Sequence, residues 1–342
     1  MTHYSCLYLA HRLWTAMNLT QRRSGLGIAL MSSAAFGTSG SFATALIGSG
    51  WSPAAAVTVR LLVASAALTV PALLLLRGRL DSLVRQAGSI GSFGVIAIAA
   101  GQVCYFNAVA RLSVGVALLL EYLGILLVVG WLWLRHGHRP RQLTVAGAVA
   151  ALVGLVLVLD ITGHQHLDPI GVLWGLGAAV GLATYFVMSA RAEQALPPIA
   201  MAWAGMAVGT VTLLLIGLSG ALPMHASARD VRFLHHRMSW LVPVLGISLV
   251  AAVYAYSTGI RAARLLGAKL ASFAGLSEVL FAVLFAWLLL GQLPRLPQLV
   301  GGAFIVAGVA LVHLDELRQQ PDRGGLATAT VENSPKSAIA AP

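Results

Sequence analysis

The chain has 342 residues, of which 58% are hydrophobic and only 10% charged, and its formal net charge is +11. Soluble domains carry roughly 25% charged residues, so this composition describes an integral membrane protein. The basic residues sit in short loops between apolar runs, where they orient helices rather than bind nucleic acid. With only two cysteines, Cys6 and Cys104, no disulfide framework is implied.

Residues 1–24 are polar and basic, with Arg12, Arg22 and Arg23, and lack the apolar core and cleavage site of a signal peptide. They read as a disordered cytoplasmic leader, and Met17 offers a second start inside it. Ten apolar runs follow, at about 25–48, 53–76, 90–110, 113–134, 142–161, 169–190, 198–218, 240–261, 266–290 and 297–314. Each is long enough to span a bilayer as a helix, and none shows the alternation of a barrel strand. The expected fold is therefore all-α, with ten transmembrane helices. Residues 318–342, rich in small and polar side chains, read as a disordered tail.

A cytoplasmic N-terminus places most of the 22 Lys and Arg residues in inner segments and leaves Arg111, Arg229, Arg232, Arg237 and Arg295 outside. That bias puts both termini in the cytoplasm and the chain in the plasma membrane. The segment 219–239, with its arginines and His225, His235 and His236, runs against the bias.

The chain also repeats itself. A shift of 144 lays GIALMSSAAFGTSGSF (27–42) on GVLWGLGAAVGLATYF (171–186), matching Gly37 with Gly181 and Phe42 with Phe186. A shift of 157 lays Glu121 on Glu278, and one of 154 lays Gly147 and Gly154 on Gly301 and Gly308. Five helices per half is an odd number, so the second copy, 169–314, enters the membrane upside down relative to the first, 25–161. Inverted repeats of this kind rock about a central site in secondary transporters.

The first copy carries FGTSGSF, TVRLLVAS and YFNAVARLSVGVALLLEYLG; the second carries YSTGIRAARLLGAKLASFAGLSEVLFAVLFAWLLLGQ and GGAFIVAGVALVHL. On these segments the chain resembles the paired EamA units of the drug/metabolite transporter superfamily. The LEYLG segment is most similar to the threonine/homoserine exporter branch. The resemblance implies efflux of small amino acids or related metabolites from the cell inner membrane. Where that family usually has proline after the two glutamates this chain has Ile125 and Val279, and Gly291–Gln292 stands in place of a Gly-Glu pair.

Glu121 lies in the run Ser113–Leu134, about 33 Å as a helix, and is therefore intramembrane. A carboxylate there costs about 2.5–3.5 kcal/mol on insertion scales and needs a partner or a watery cavity. Arg60 sits at a matching depth, about 10–12 Å below the outer face. Two readings remain open for this pair. It is a structural bridge between helices, or it borders a translocation cavity, with Arg60 facing a solute carboxylate and Glu121 a solute ammonium. Glu278 has no matching arginine. It either carries a proton during transport or is a protonated carboxyl bonded to a neighbouring helix.

Tyr105, Asn107, Tyr122, Tyr185, Tyr254 and Tyr256 are candidate cavity-lining residues, and Lys269 is expected to reach the cytoplasmic surface. His164 and His166 with Asp160 and Asp168 read as a solvated loop rather than a metal site. No Walker loop, GxGxxG unit, HExxH or intramembrane nucleophile–base set occurs, so no enzyme, cofactor or metal is expected. The partners expected are a small-molecule solute and the lipid bilayer. Monomer and homodimer are equally compatible with the sequence. The alternative function, a lipid-handling or scaffold protein, predicts that Arg60 and Glu121 satisfy only each other.

Overall fold

The computed structural model describes residues 24–78, 80–112, 114–137, 140–159, 168–191, 196–233, 236–290 and 295–318. The leader, the tail, and His164, His166 and Asp160 lie outside the described residues. The described chain is mostly helical. In order, the principal helices are α1 (Ser24–Gly48) and α2 (Pro53–Leu75), α3 (Ala87–Arg111), α4 (Val114–Tyr122) and α5 (Gly124–His136), and α6 (Gln142–Leu159). Then come α7 (Pro169–Ser189) and α8 (Pro198–Leu218), α9 (Leu241–Gly275), α10 (Ser277–Leu290) and α11 (Leu296–Arg318). Among the described residues, eight helical runs are long and apolar enough to cross a membrane, one of them Val116–Arg135 across α4 and α5.

Starts and breaks follow local chemistry. Ser52 caps α2 by accepting from Ala55 N, and Pro53 occupies a first-turn position where a missing N–H is harmless. Asp168 caps α7 in the same way through Ile170 N at 2.9 Å. The runs expected at 240–261 and 266–290 are divided differently. Helical backbone continues through Gly275 with a break at Gly267 (φ 79°, ψ 162°), and α10 follows after Leu276. Glycine permits that positive φ, so the chain turns there without a loop.

Two stretches are wound wider than an α-helix: Phe93–Ala100 inside α3 and Gly246–Tyr254 inside α9. Such π-type winding is rare and is concentrated at functional sites.

Small residues bring the helices together. A Cβ on Gly147 would stand 2.8 Å from Gly308 O, and one on Gly154 would stand 2.5 Å from Gly301 O. α6 and α11 are therefore antiparallel and nearly touch at the backbone, the arrangement small-residue interfaces permit. Thr144 on Asp315 (2.6 Å) and Gln298 on Val158 O (3.3 Å) tie the two ends of this pair. In α7, Gly171 fits against Leu112 and Gly175 against Leu120. The segment after α8 folds over α1 and α2: the hairpin Val231–Phe233/His236–Met238 closes it. Trp51 is buried there, donating to Ser227 O at 2.7 Å beside the Trp240 ring, rather than lying at a lipid interface.

Lys269 is paired near the end of the last helix. Its ammonium lies 2.7 Å from Glu316 and 3.3 Å from the buried Asp315, joining α9 to the end of α11. Two adjacent carboxylates hold it.

Two outcomes are expected from this packing. Gly154→Val forces side-chain carbons into the α11 backbone and should destabilise the protein by about 1–3 kcal/mol. Gly130→Ala meets nothing within 4 Å and should be neutral; equal unfolding midpoints for the two variants would contradict the packing described.

The second outcome concerns Asp168. The Ile170 N–H, together with Arg111 at 3.1 Å, holds its carboxyl below the usual range. A depressed carboxyl stabilises above its unfolded pKa and loses that contribution as pH falls. Thermal stability should therefore fall with acidification, and Asp168→Asn, which keeps the cap, should lack that part of the slope.

Candidate functional site

A cavity of about 790 Å³, its open mouth included, lies between the two halves of the chain. The first half contributes Ser32, Ser33, Phe36 and Ser39 from α1, Arg60 from α2, Ala97, Gly101, Gln102 and Tyr105 from α3, and Glu121 and Tyr122 from α4. The second half contributes Leu182, Tyr185 and Phe186 from α7, Tyr256, Gly259, Ala262, Ala271 and Gly275 from α9, and Glu278 from α10. Small residues make this space. Gly37 lies against the backbone of Glu278 and Ala282, while Ser32 donates to Ala255 O at 2.7 Å, which seats α1 on α9.

Arg60 is fully buried. Its Nη1 donates to Gln102 Oε1 at 2.6 Å and Ser39 Oγ at 3.2 Å, and its Nη2 donates to Ala251 O at 2.5 Å. Among the described residues it makes no ion pair with Glu121, so the expected bridge between them is absent. The Phe106 ring lies 6.0 Å from the guanidinium carbon. Equal depth along two helices was the basis for pairing Arg60 with Glu121. Depth carries no information about azimuth, and neutral acceptors on three other helices lie closer.

Glu121 faces the cavity, and among the described residues no group hydrogen-bonds its carboxylate. Glu278 is placed otherwise: the Tyr122 hydroxyl lies 2.8 Å from its Oε2 and 2.9 Å from Gly275 O. A phenol has one proton for these two acceptors. When it points at Gly275 O, the short contact with Glu278 is favourable only if the carboxyl is protonated and donates. When it points at Glu278, Oε2 only accepts, and the carboxyl needs no proton of its own to hold the contact.

Aromatic rings complete the wall. Phe36, Tyr185 and Tyr256 meet edge to face, with centroids 5.0 Å apart for Phe36–Tyr256 and 5.4 Å for Tyr185–Tyr256. The Tyr185 hydroxyl is buried and has no hydrogen-bond partner among the described residues; it rests over Gly259, where a Cβ would clash with it.

Of the residues singled out in the sequence, Arg60, Tyr105, Glu121, Tyr122, Tyr185, Tyr256 and Glu278 surround the cavity. Asn107 and Tyr254 do not. Asn107 turns back onto Val103 O at 2.8 Å, and Tyr254 is 39% exposed on the outer surface of the bundle. Each lies two residues from a cavity-lining neighbour, Tyr105 and Tyr256, and so falls on another helix face. Sequence reasoning missed Gln102, Ser39 and Gly259. A polar Gln102 within an apolar run was the one available signal.

A helical membrane bundle closed around a polar, aromatic-walled cavity defines a solute transporter by class. The family model of the EamA-like transporter family matches twice, over residues 23–160 and 169–314, and the chain belongs to that family. It is similar to the uncharacterized inner membrane transporter YicL of Salmonella typhimurium, with 24% identity over 249 residues, 72% of this chain and 77% of that protein. It is also similar to an uncharacterized transporter of Archaeoglobus fulgidus, with 27% identity over 209 residues, 60% of this chain and 70% of that one. A solved crystal structure shares the fold, with a TM-score of 0.68 at 22% identity over 87% of this chain and 99% of that chain.

Proposed function

We propose that the protein is a secondary-active exporter of small amino-acid-like metabolites in the plasma membrane, working by alternating access of two inverted five-helix repeats. The observation that carries this reading is the Glu121 carboxylate, which opens into the cavity without a protein partner, where a solute ammonium can meet it. An unpaired carboxylate at that depth is expensive and tolerable where water or a charged solute reaches it.

Several features support the finer parts. The break at Gly267 divides α9, so that its last part and α10 together are long enough for a separate pass, and α6 is about 27 Å long; both support a reading with ten passes. The cross-paired glycines, Gly147 with Gly308 and Gly154 with Gly301, are the pattern an inverted repeat requires, because Gly147 and Gly154 align with Gly301 and Gly308. The relative YicL is named an inner membrane transporter, and the Lys and Arg distribution favours cytoplasmic termini. A scaffold reading would leave Arg60 and Glu121 to each other; Arg60 instead bonds Ser39, Gln102 and Ala251.

The two hydrogen-bond arrangements at Tyr122 suit Glu278 to proton coupling. Among the described residues, the charged or titratable groups around it are Arg60, Glu121 and Tyr122, with Tyr105, Tyr185 and Tyr256 across the cavity.

The test of the main reading is a thermal-shift screen of purified protein against the L-amino acids. Wild type should gain stability with at least one, by about 2.7 kcal/mol at a hundredfold excess over Kd. Glu121→Gln should lose at least tenfold in affinity for it. No stabilisation by any amino acid would remove the substrate class.

For coupling, Glu278→Gln should flatten the pH dependence of efflux while leaving the protein folded. An unaltered pH profile would take Glu278 out of the proton pathway.

A further inference from the structure

Every strong bond of Arg60 falls at an irregularity of the backbone. Ser39 follows the turn that interrupts α1 at Thr38. Gln102 stands two residues beyond the wide stretch Phe93–Ala100. Ala251 lies inside the wide stretch Gly246–Tyr254. The two wide stretches occupy comparable places in the two repeats, each inside the third long helix of its half, α3 and α9. One guanidinium therefore joins both, and each of them supplies or adjoins a wall of the cavity through Ala97, Gly101, Gln102 and Tyr256.

We propose that Arg60 is a positioning residue that mechanically couples the wide stretches of the two repeats, so that the two walls of the cavity bend together. The inference rests on the alternating-access reading and assigns Arg60 a role other than contact with a solute carboxylate. Three protein acceptors already hold its terminal nitrogens, at 2.5–3.2 Å, while its Nε has no partner among the described residues. Wide-wound turns carry poorer hydrogen bonding than α-helix and are the natural places for a helix to bend. Left alone, each would bend independently. A planar fork that holds Gln102 on one side and a main-chain carbonyl on the other transmits displacement between them, which an ammonium on a flexible stem does not. The coupling is a two-site property and needs a two-site measurement.

Amide hydrogen exchange of the full chain in lipid nanodiscs gives that measurement without any solute. Gln102→Ala keeps the Arg60 charge and removes one arm of the fork. It should speed exchange at least fivefold in 93–100 and also in 246–254, on the other repeat. Acceleration confined to 93–100, or in neither stretch, overturns the coupling. Arg60→Lys should speed exchange in both stretches, and wild-type rates in that variant overturn the need for the fork.

Transport gives a separate arm, using the L-amino acid that most raises the melting temperature of wild type. Arg60→Lys should lower turnover about tenfold with Kd within twofold. A Kd that weakens in step with turnover would make Arg60 a solute contact and overturn the proposal. If no amino acid stabilises the wild type, the proposed substrate class fails, while the exchange arm still decides the coupling.

Discussion

The structure depends on the placement of one buried cation. A guanidinium inside a helix bundle cannot be left bare, and a contacting carboxylate would hold it most directly. Here Arg60 is fully buried and is held by dipoles instead: an amide oxygen, a hydroxyl and a main-chain carbonyl from three different helices. Hydrogen bonds to a charged group contribute about 1.5–3 kcal/mol each when buried. The choice has a consequence for the cavity. A bridge to Glu121 would have consumed both charges, whereas satisfaction by neutral acceptors leaves the Glu121 carboxylate open.

The second constraint is the close approach of backbones. In a bilayer there is no water to expel between helices, so association depends on packing, and packing on small residues. The α6–α11 pair shows this in its crossed glycine contacts. The same means opens the site: Gly37 lets α1 approach α10, and Gly259 admits the Tyr185 hydroxyl. Away from the cavity, Lys269, Asp315 and Glu316 pair near one end of α9 and α11.

The membrane class, the positions of most spans and the twofold repeat were legible in apolar run lengths, glycines and paired glutamates, because each follows from a local or periodic rule. The separation of the runs 240–261 and 266–290 was legible as well, but not its form, since Gly267 reads as an ordinary helix glycine until its φ is known. Depth along a helix was legible too, which is why the intramembrane ionisable residues Arg60, Glu121 and Glu278 could be singled out. Direction around the helix was not. Asn107 and Tyr254 missed the cavity by two residues each, and Arg60 was matched to Glu121 when Gln102 and the Ala251 carbonyl were nearer. A main-chain acceptor in a wide-wound stretch leaves no mark in composition or hydropathy.

Internal symmetry sharpens the difference between the two glutamates. Glu121 and Glu278 occupy equivalent repeat positions, yet one is open and the other is held by Tyr122. In an inverted-repeat transporter the halves exchange conformations as the cavity changes sides, so each glutamate would be expected to pass through the other's surroundings. The residue equivalent to Tyr122 is Val279, which has no hydroxyl to offer Glu121. The two carboxyls therefore stand in chemically different surroundings: the Tyr122 hydroxyl lies 2.8 Å from Glu278, and the repeat position that would offer a hydroxyl to Glu121 holds a valine, whose side chain can neither donate to a carboxyl nor accept from one.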